Sequence, residues 1–434
     1  MISRFVVSAP ASGCGKTLVS LLLLRLARRR GIRAHSLKIG PDYIDRAFHA
    51  AASGGEAANF DAWAMRPELR RRITARLAEE AQMMLAEGMM GLHDGTGSGA
   101  GSTAEAARFL GWPLVLVLDV AGQAETAAAV ARGLLSGTPP LSAAGAILNR
   151  VGGPGHTRIV ERALGEIGIP LLGSLPVDER FALPERHLGL VQAGEQPELD
   201  GFLDHAAEAA AEHLNLDGLL EKTRGLVTAA EEAGAPPLLP LGRRIAVARD
   251  EAFSFTYPHV LEGWRAAGAE IAFFAPLRGE SPAPGVDAIF LPGGYPELHA
   301  EALAHSPLLP ALRAAAARGV VIYGECGGFM VLGRSITDAQ GREHPMSGLL
   351  PVTTSMVGAR LHLGYRRLTC HEASPLGPAG TSYRGHEFHH ARLVEPGAAP
   401  PLFTSISADG SGGRACGCKL GSVMGSFAHI IDRE

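Results

Sequence analysis

Short apolar runs alternate with longer stretches of helical periodicity along most of this chain. Residues 4–7, 114–119 and 145–148 are almost continuously apolar and 34–39 is a short strand-like run, while 18–30 and 68–85 repeat apolar positions at helical spacing. Continuous apolar strands separated by helices are what a parallel sheet covered on both faces requires. The first half is therefore predicted to be an α/β domain, with a further strand at 89–92. From about Leu219 the pattern weakens, and AGAPPLLPLG at 233–242 reads as a proline-rich linker. Strand-like runs resume at 244–248, 271–274, 288–291 and 320–323, and the last part of the chain is richer in period-two alternation. The expected division is residues 1–218, a linker at 219–242 and a second α/β domain at 243–434.

Composition narrows the class. A chain of 434 residues exceeds what one core usually organises, which agrees with two domains. Charged residues make up 19% and the net charge is -4, so there is no electrostatic case for binding nucleic acid or an anionic membrane. The apolar run 18–26 is interrupted by Arg25 and closed by Arg28, Arg29 and Arg30, far short of the roughly 20 residues that span a bilayer. Residues 1–8 are too short for a signal peptide and lead straight into a glycine-containing loop. Five cysteines, odd in number and unevenly placed, fit a reducing compartment. A cytoplasmic protein is expected. Cys416 and Cys418 flank a glycine and read as a turn, because no second cluster stands at zinc spacing.

Two segments carry chemistry. In the first, an apolar strand is followed by SAPASGCG at 8–15 and by Lys16 and Thr17 opening an apolar helix. Small residues let backbone N–H groups converge on phosphate oxygens, lysine reaches the terminal phosphates and the threonine hydroxyl can ligate Mg²⁺. Pro10 replaces the first glycine of the usual pattern, and Ala11 stands where face-to-face dimerising ATPases often carry a second lysine. Hard oxygen ligands for Mg²⁺ would come from neighbouring strand ends. Asp42, Asp45, Glu87 and Asp94 are the acidic candidates, with turn or cap carboxylates as the alternative reading of each.

In the second segment, the apolar run 320–323 meets GECGG at 324–328. A strand, a sharp glycine-flanked turn and a helix start form a nucleophile elbow with Cys326 in the serine position. The N–H after the nucleophile and the glycines of LPGGYPELH at 291–299 are candidate oxyanion donors. Among 17 histidines, His429 is the best-placed base, since an apolar strand-like segment ends on it. Residues 386–390 formally satisfy His-Glu-x-x-His, but that zinc signature needs a helix. Gly385 before it and strand-like residues after it favour a strand near an active site or interface.

These residues resemble a known architecture, an N-terminal P-loop domain similar to dethiobiotin synthetase joined to a class I glutamine amidotransferase domain. The resemblance is closest to the a,c-diamide synthases acting on cobyrinic or hydrogenobyrinic acid. It is carried by residues 9–17, 38–45, 89–95, 183–190, 245–250, 291–299, 324–328 and 385–389, and so covers nearly the whole chain. His93, the pair Gly263 and Trp264, and the ending 425–432 look more like the hydrogenobyrinate members.

The resemblance implies ATP and L-glutamine as co-substrates, Mg²⁺ as cofactor and a corrinoid substrate. Cys326 would form a glutamyl thioester with His429 as base, and the Gly294 and Gly327 N–H groups would hold the oxyanion. Ammonia would pass internally to an acyl phosphate formed on a corrinoid carboxylate, and two rounds would give the a,c-diamide. It further implies that Gly13, Gly15, Lys16 and Thr17 cradle phosphates, that Asn149 lies near adenine, and that Thr17, Glu87 and Asp45 hold the metal. Asp42, Tyr43, Asp45, Asp94, Ser102 and Thr103 would line the corrinoid and phosphate side. Many glutaminases of this class carry a glutamate two residues after the histidine, where this chain has Ile431, and Asp432 would point elsewhere on a strand. The alternatives are the same reaction on cobyrinic acid or another tetrapyrrole, and a P-loop ATPase switch with a degenerate glutaminase domain. The sequence sets no oligomeric state, with a homodimer as the candidate.

Overall fold

The computed structural model describes residues 1–97, 99–137, 139–182, 185–186, 189–190, 198–225 and 236–434. Residues 183, 184, 187 and 188 of the resemblance segment, and 226–235 of the expected linker, lie outside the described residues. The chain divides into two compact units, Met1–Trp63 with Pro67–Ala233, and Ala64–Arg66 with Gly234–Glu434.

The first unit is built on β1 (Ile2–Ser8), β2 (Ala34–Ile39), β3 (Ala57–Phe60), β4 (Met83–Glu87), β5 (Leu114–Asp119), β6 (Ala143–Val151) and β7 (Leu171–Pro176). These seven are mutually parallel in the order β3-β2-β4-β1-β5-β6-β7. Burial on both faces explains their composition: every residue of β4 is buried, as are all but the last of β5. A short pair, β8 (Glu185–Arg186) and β9 (Gly189–Leu190), follows, and β10 (Arg224–Gly225) adds to β1 antiparallel. With the helix Leu216–Lys222 and β10 in place, the chain stays with the first sheet to Gly225, past the expected linker start.

One stretch departs from the expected elements. The helix predicted at 68–85 ends at Ala78, and the strand expected at 89–92 is instead β4 at Met83–Glu87. Leu69, Ile73, Leu77 and Leu85 keep helical step, so periodicity ran straight through a reversal that no glycine or proline marks. The shift matters because it makes Glu87 the last residue of a central strand. β3 and β7 were not foreseen either.

The second unit holds β11 (Arg244–Ala248), β12 (Glu270–Phe274), β13 (Ala288–Leu291) and β14 (Val321–Glu325) in its main sheet. Beyond them come β15 (Ser335–Thr337), β16 (Glu343–Pro345), β17 (Thr353–Ser355), β18 (His362–Cys370), β19 (Ser382–His389), β20 (Arg392–Glu395), β21 (Phe403–Ser407), β22 (Arg414–Cys416), β23 (Cys418–Leu420), β24 (Val423–Ser426) and β25 (Ala428–Arg433). The main sheet runs β12-β11-β13-β14-β24-β23, parallel except for β23. A second sheet, β22-β21-β18-β19-β25, is antiparallel throughout. The core around Phe253, Ile289, Leu291, Ile322, Phe329 and Leu332 packs under the main sheet's central strands. Residues 386–389 lie in β19 and Cys416 and Cys418 flank a turn at Gly417, as the sequence reading expects. β24 and β25 are separated only by Phe427, so the chain steps there from one sheet into the other.

Candidate active site

In the first unit the carboxyl ends of β2, β4 and β1 lie side by side, and each delivers one part of a polar cluster. β1 runs into the phosphate loop, in which Gly13 and Gly15 adopt φ of 78° and 99°. The helix Lys16–Arg29 starts directly after Gly15, so its unpaired N–H groups face the loop, the arrangement that favours anions. Lys16 Nζ donates to the Ala11 carbonyl at 3.0 Å, and burial pushes this ammonium below its usual range. Thr17 Oγ1 donates to Glu87 Oε1 at 2.7 Å and lies 3.4 Å from Asp45 Oδ2.

Lys38, on β2, and His49 are the members that sequence reasoning missed. The Lys38 side chain is the central one. Its fully buried ammonium donates to Glu87 Oε1 at 2.7 Å and to Asp45 Oδ2. His49 Nε2 contacts the other Glu87 oxygen at 2.6 Å. Burial drives the Glu87 carboxyl upward, but Lys38 and His49 outweigh it and hold the group well below the carboxylate range. Burial and the neighbouring Asp42 charge raise Asp45 to about 6 against the pull of Lys38. Burial opposes the Lys38 charge too, and its two carboxylates more than compensate. The signal was legible in principle: a lysine inside AHSLKI, an otherwise buried strand, needs a buried partner.

The remaining sequence candidates in this unit have structural contacts. Asp42 caps the helix Tyr43–Ser53, accepting from the Ile44 and Asp45 N–H groups, and Tyr43 is buried in that helix's first turn. Asp94 accepts from Gly91 N–H at 2.8 Å. Ser102 caps the helix Thr103–Leu110, with Glu105 reaching back to the Gly101 N–H, and Thr103 Oγ1 donates to the Met89 carbonyl. Asn149 Nδ2 donates to the Cys14 carbonyl at 3.0 Å and braces the phosphate loop from β6. The Thr17, Lys38, Asp45 and Glu87 set is thus brought together, and Asp94, Ser102 and Thr103 hold neighbouring turns.

In the second unit Cys326 follows β14 at φ 48° and ψ -107°, a strained conformation for a residue with a side chain. Such a backbone costs about 1–3 kcal/mol and persists only where surrounding structure enforces it. Here the helix Gly327–Leu332 turns back so tightly that a Cβ on Gly328 would lie 1.9 Å from the Leu291 carbonyl oxygen. Gly328→Ala is therefore expected to destabilise the protein by more than about 3 kcal/mol, beyond ordinary overpacking. A denaturant titration of the variant would measure it.

The loop after β13 closes over this elbow. A Cβ at Gly293 would sit 3.2 Å from Cys326 Cβ and 2.4 Å from His429 Cε1, and one at Gly327 would sit 3.2 Å from Gly294 N. Thiol, imidazole and the two expected oxyanion donors therefore converge. His429 is fully buried, and although burial alone would lower it, Cys326 and Glu325 raise it to about 9. Cys326 Sγ also lies 3.9 Å from the Phe388 carbonyl oxygen on β19. Asp432 faces away: Arg66, of the same unit, binds it with its backbone N–H at 2.8 Å and its guanidinium at 2.9 Å. Among the described residues no group of three or more His, Cys, Asp or Glu side chains is placed to hold a metal ion. No described helix is long and apolar enough to cross a membrane.

Comparison with known proteins agrees with this architecture. Residues 5–191 match the CobQ/CobB/MinD/ParA nucleotide binding domain, and residues 244–434 match the CobB/CobQ-like glutamine amidotransferase domain. The protein is accordingly a glutamine amidotransferase with a nucleotide-binding domain on the same chain. It is 50% identical over 430 residues to the hydrogenobyrinate a,c-diamide synthase of Brucella anthropi, covering 99% of this chain and 98% of that one. The synthase of the same name from Rhizobium meliloti is 47% identical over 433 residues, covering 99% of both chains. The chain belongs to the hydrogenobyrinate a,c-diamide synthase family.

Proposed function

We propose that this protein converts the a and c carboxylates of hydrogenobyrinic acid to amides, using ATP as activator and glutamine as nitrogen donor. The observation that carries the reading is the strained Cys326 elbow facing buried His429, in a chain that matches relatives of this name along its whole length. In this reading the synthetase domain runs from residue 1 through β10 at Gly225, and residues 243–434 form the glutaminase domain.

Cys326 Sγ attacks the glutamine carboxamide carbon while His429 takes the thiol proton. Backbone N–H groups of Gly294 and Gly327 receive the oxyanion. His429 then returns the proton to the leaving nitrogen, the C–N bond breaks, and water releases glutamate from the thioester. In the synthetase domain, the loop with Gly13, Gly15 and Lys16 holds the ATP phosphates and Asn149 fixes the loop's far side. Glu87 and Asp45 each offer a carboxylate oxygen within hydrogen-bonding reach of the Thr17 hydroxyl, a donor set that suits Mg²⁺. When bound, the ion neutralises phosphate charge. Lys38 shares that task from the same carboxylates. Asp42, Tyr43, Asp94, Ser102 and Thr103 are assigned to the corrinoid and phosphate side. A substrate carboxylate attacks the ATP γ-phosphorus to give an acyl phosphate and ADP, and ammonia then displaces phosphate to leave the amide.

The test is incubation with glutamine, ATP-Mg²⁺ and hydrogenobyrinic acid, followed by mass spectrometry. Two successive acid-to-amide conversions are expected. A parallel incubation with cobyrinic acid reads metal preference, and no mass change with any corrinoid would remove the proposal.

A further inference from the structure

The glutaminase of this family member lacks an acid at position 431, yet its histidine is not left without a carboxylate. Glu325, the residue immediately before the nucleophile, is buried at the end of β14. Its Oε1 accepts from Tyr323 Oη at 2.9 Å and from the Ile430 N–H at 3.1 Å. Those two bonds fix the carboxylate plane and leave Oε2 facing His429 Nδ1 at 3.7 Å. The register places it there. β14 pairs with β24 so that Glu325 stands opposite Ser426, and the step into β25 sets His429 opposite His386 of β19 with the next N–H, that of Ile430, on Glu325.

A second contact sets the ring's plane. His386, on β19, stacks on His429 with centroids 4.9 Å apart and planes inclined by 12°. Tyr257 Oη and His386 Nε2 are 2.9 Å apart, and burial keeps this imidazole well below the ordinary histidine range, hence neutral. The titratable groups facing His429 are thus Cys326 and Glu325 from β14 and its turn, and His386 and His389 from β19. Burial pushes His389 down to about 4, so Glu325 is the one carboxyl group of the set.

We infer that Glu325 is the positioning carboxylate of the glutaminase, supplied from the strand before the nucleophile rather than from beyond the histidine. Its charge across 3.7 Å favours the ring form with the proton on Nδ1, which leaves Nε2 free to take the proton from Cys326 Sγ. It then balances the imidazolium until that proton passes to the departing ammonia. The inference rests on the proposed glutamine hydrolysis, and it assigns no contact with substrate to Glu325.

The variant Glu325→Gln keeps an oxygen for Tyr323 and Ile430 but removes the charge. Glutamate release from glutamine is expected to fall on the order of a hundredfold, with KM for glutamine nearly unchanged. The limb of its pH profile set by His429 should move to lower pH, because an imidazolium without its counter-charge loses its proton sooner. Tyr323→Phe frees one anchor of the carboxylate and should cost about three- to tenfold. Independently of turnover, ¹⁵N-histidine NMR should show the His429 midpoint dropping from about 9 toward the ordinary value of about 6.5 in Glu325→Gln, the signal being assigned with His429→Asn. Hydrolysis within about twofold of wild type and an unmoved midpoint would overturn the inference. If Glu325→Gln does not fold, an unchanged rate and midpoint in Tyr323→Phe overturn it instead. Wild-type protein that released no glutamate would sink the proposed reaction and leave the imidazole titration to judge Glu325.

Discussion

Cys326→Ser is expected to lower glutamine-dependent amidation by more than about a thousandfold while leaving amidation with added ammonium near the wild-type rate. The thiol supplies the nucleophile, and a serine hydroxyl in the same strained position lacks the ionised form that attacks a carboxamide at neutral pH. The fold should tolerate the change, since serine is smaller by a fraction of an ångström and the φ of 48° is enforced by the Gly328 approach to Leu291, not by the sulfur. The measurement is product formation with each nitrogen source at pH 8, where ammonia is available. Equal loss with both sources would mean that the elbow serves the synthetase reaction directly. No loss with either would mean that Cys326 is not the nucleophile that releases ammonia from glutamine.

Lys38→Met separates the two halves from the other side. It should abolish amidation with both nitrogen sources, and it should destabilise the first unit. Removing one partner of a buried ionic cluster typically costs about 3–5 kcal/mol, because the remaining charges stay buried without compensation. For a domain of this size that corresponds to a fall in Tm of roughly 10 °C. The effect has a sign in pH. In the wild type, Glu87 is held below its unfolded value, so its contribution is present above about pH 4.3 and is lost as pH falls. Asp45 is raised to about 6, so its contribution is present at low pH and lost as pH rises through 6. Without Lys38 neither carboxylate has its ammonium partner, and both then resist ionisation. The Tm difference between variant and wild type should be larger at pH 8 than at pH 5. An equal difference at both pH values would assign Lys38 a packing role through its methylene stem.

Within the carboxylate cluster, Thr17, Asp45 and Glu87 were legible because their types and their positions after apolar runs suit an ATP site. Lys38 and His49 were missed, since a lysine in a buried strand says only that it has a partner, and neither its partner nor the place of a helical histidine is set until the sheet order puts β2 beside β4. The same holds in the second unit. Cys326 announces itself through its glycines, and His429 through the apolar segment it ends. Glu325 and His386 are separated from His429 by 104 and 43 residues respectively. Glutamate inside VVIYGEC, with no charge near it in sequence, was the one local sign that a buried acid had a partner.

Taken alone, the sequence determined the α/β class, the phosphate loop, the nucleophile elbow and the likeness to the diamide synthases. Each of these is written in short-range order: apolar period, glycine spacing and helix start. Tertiary structure alone decided where β4 begins, that Asp42 and Ser102 cap helices, that Asp432 turns to Arg66, and which carboxylate faces His429. The carboxylate facing His429 depends on strand register and on the step between two sheets at Phe427, which bring together residues that no local pattern relates.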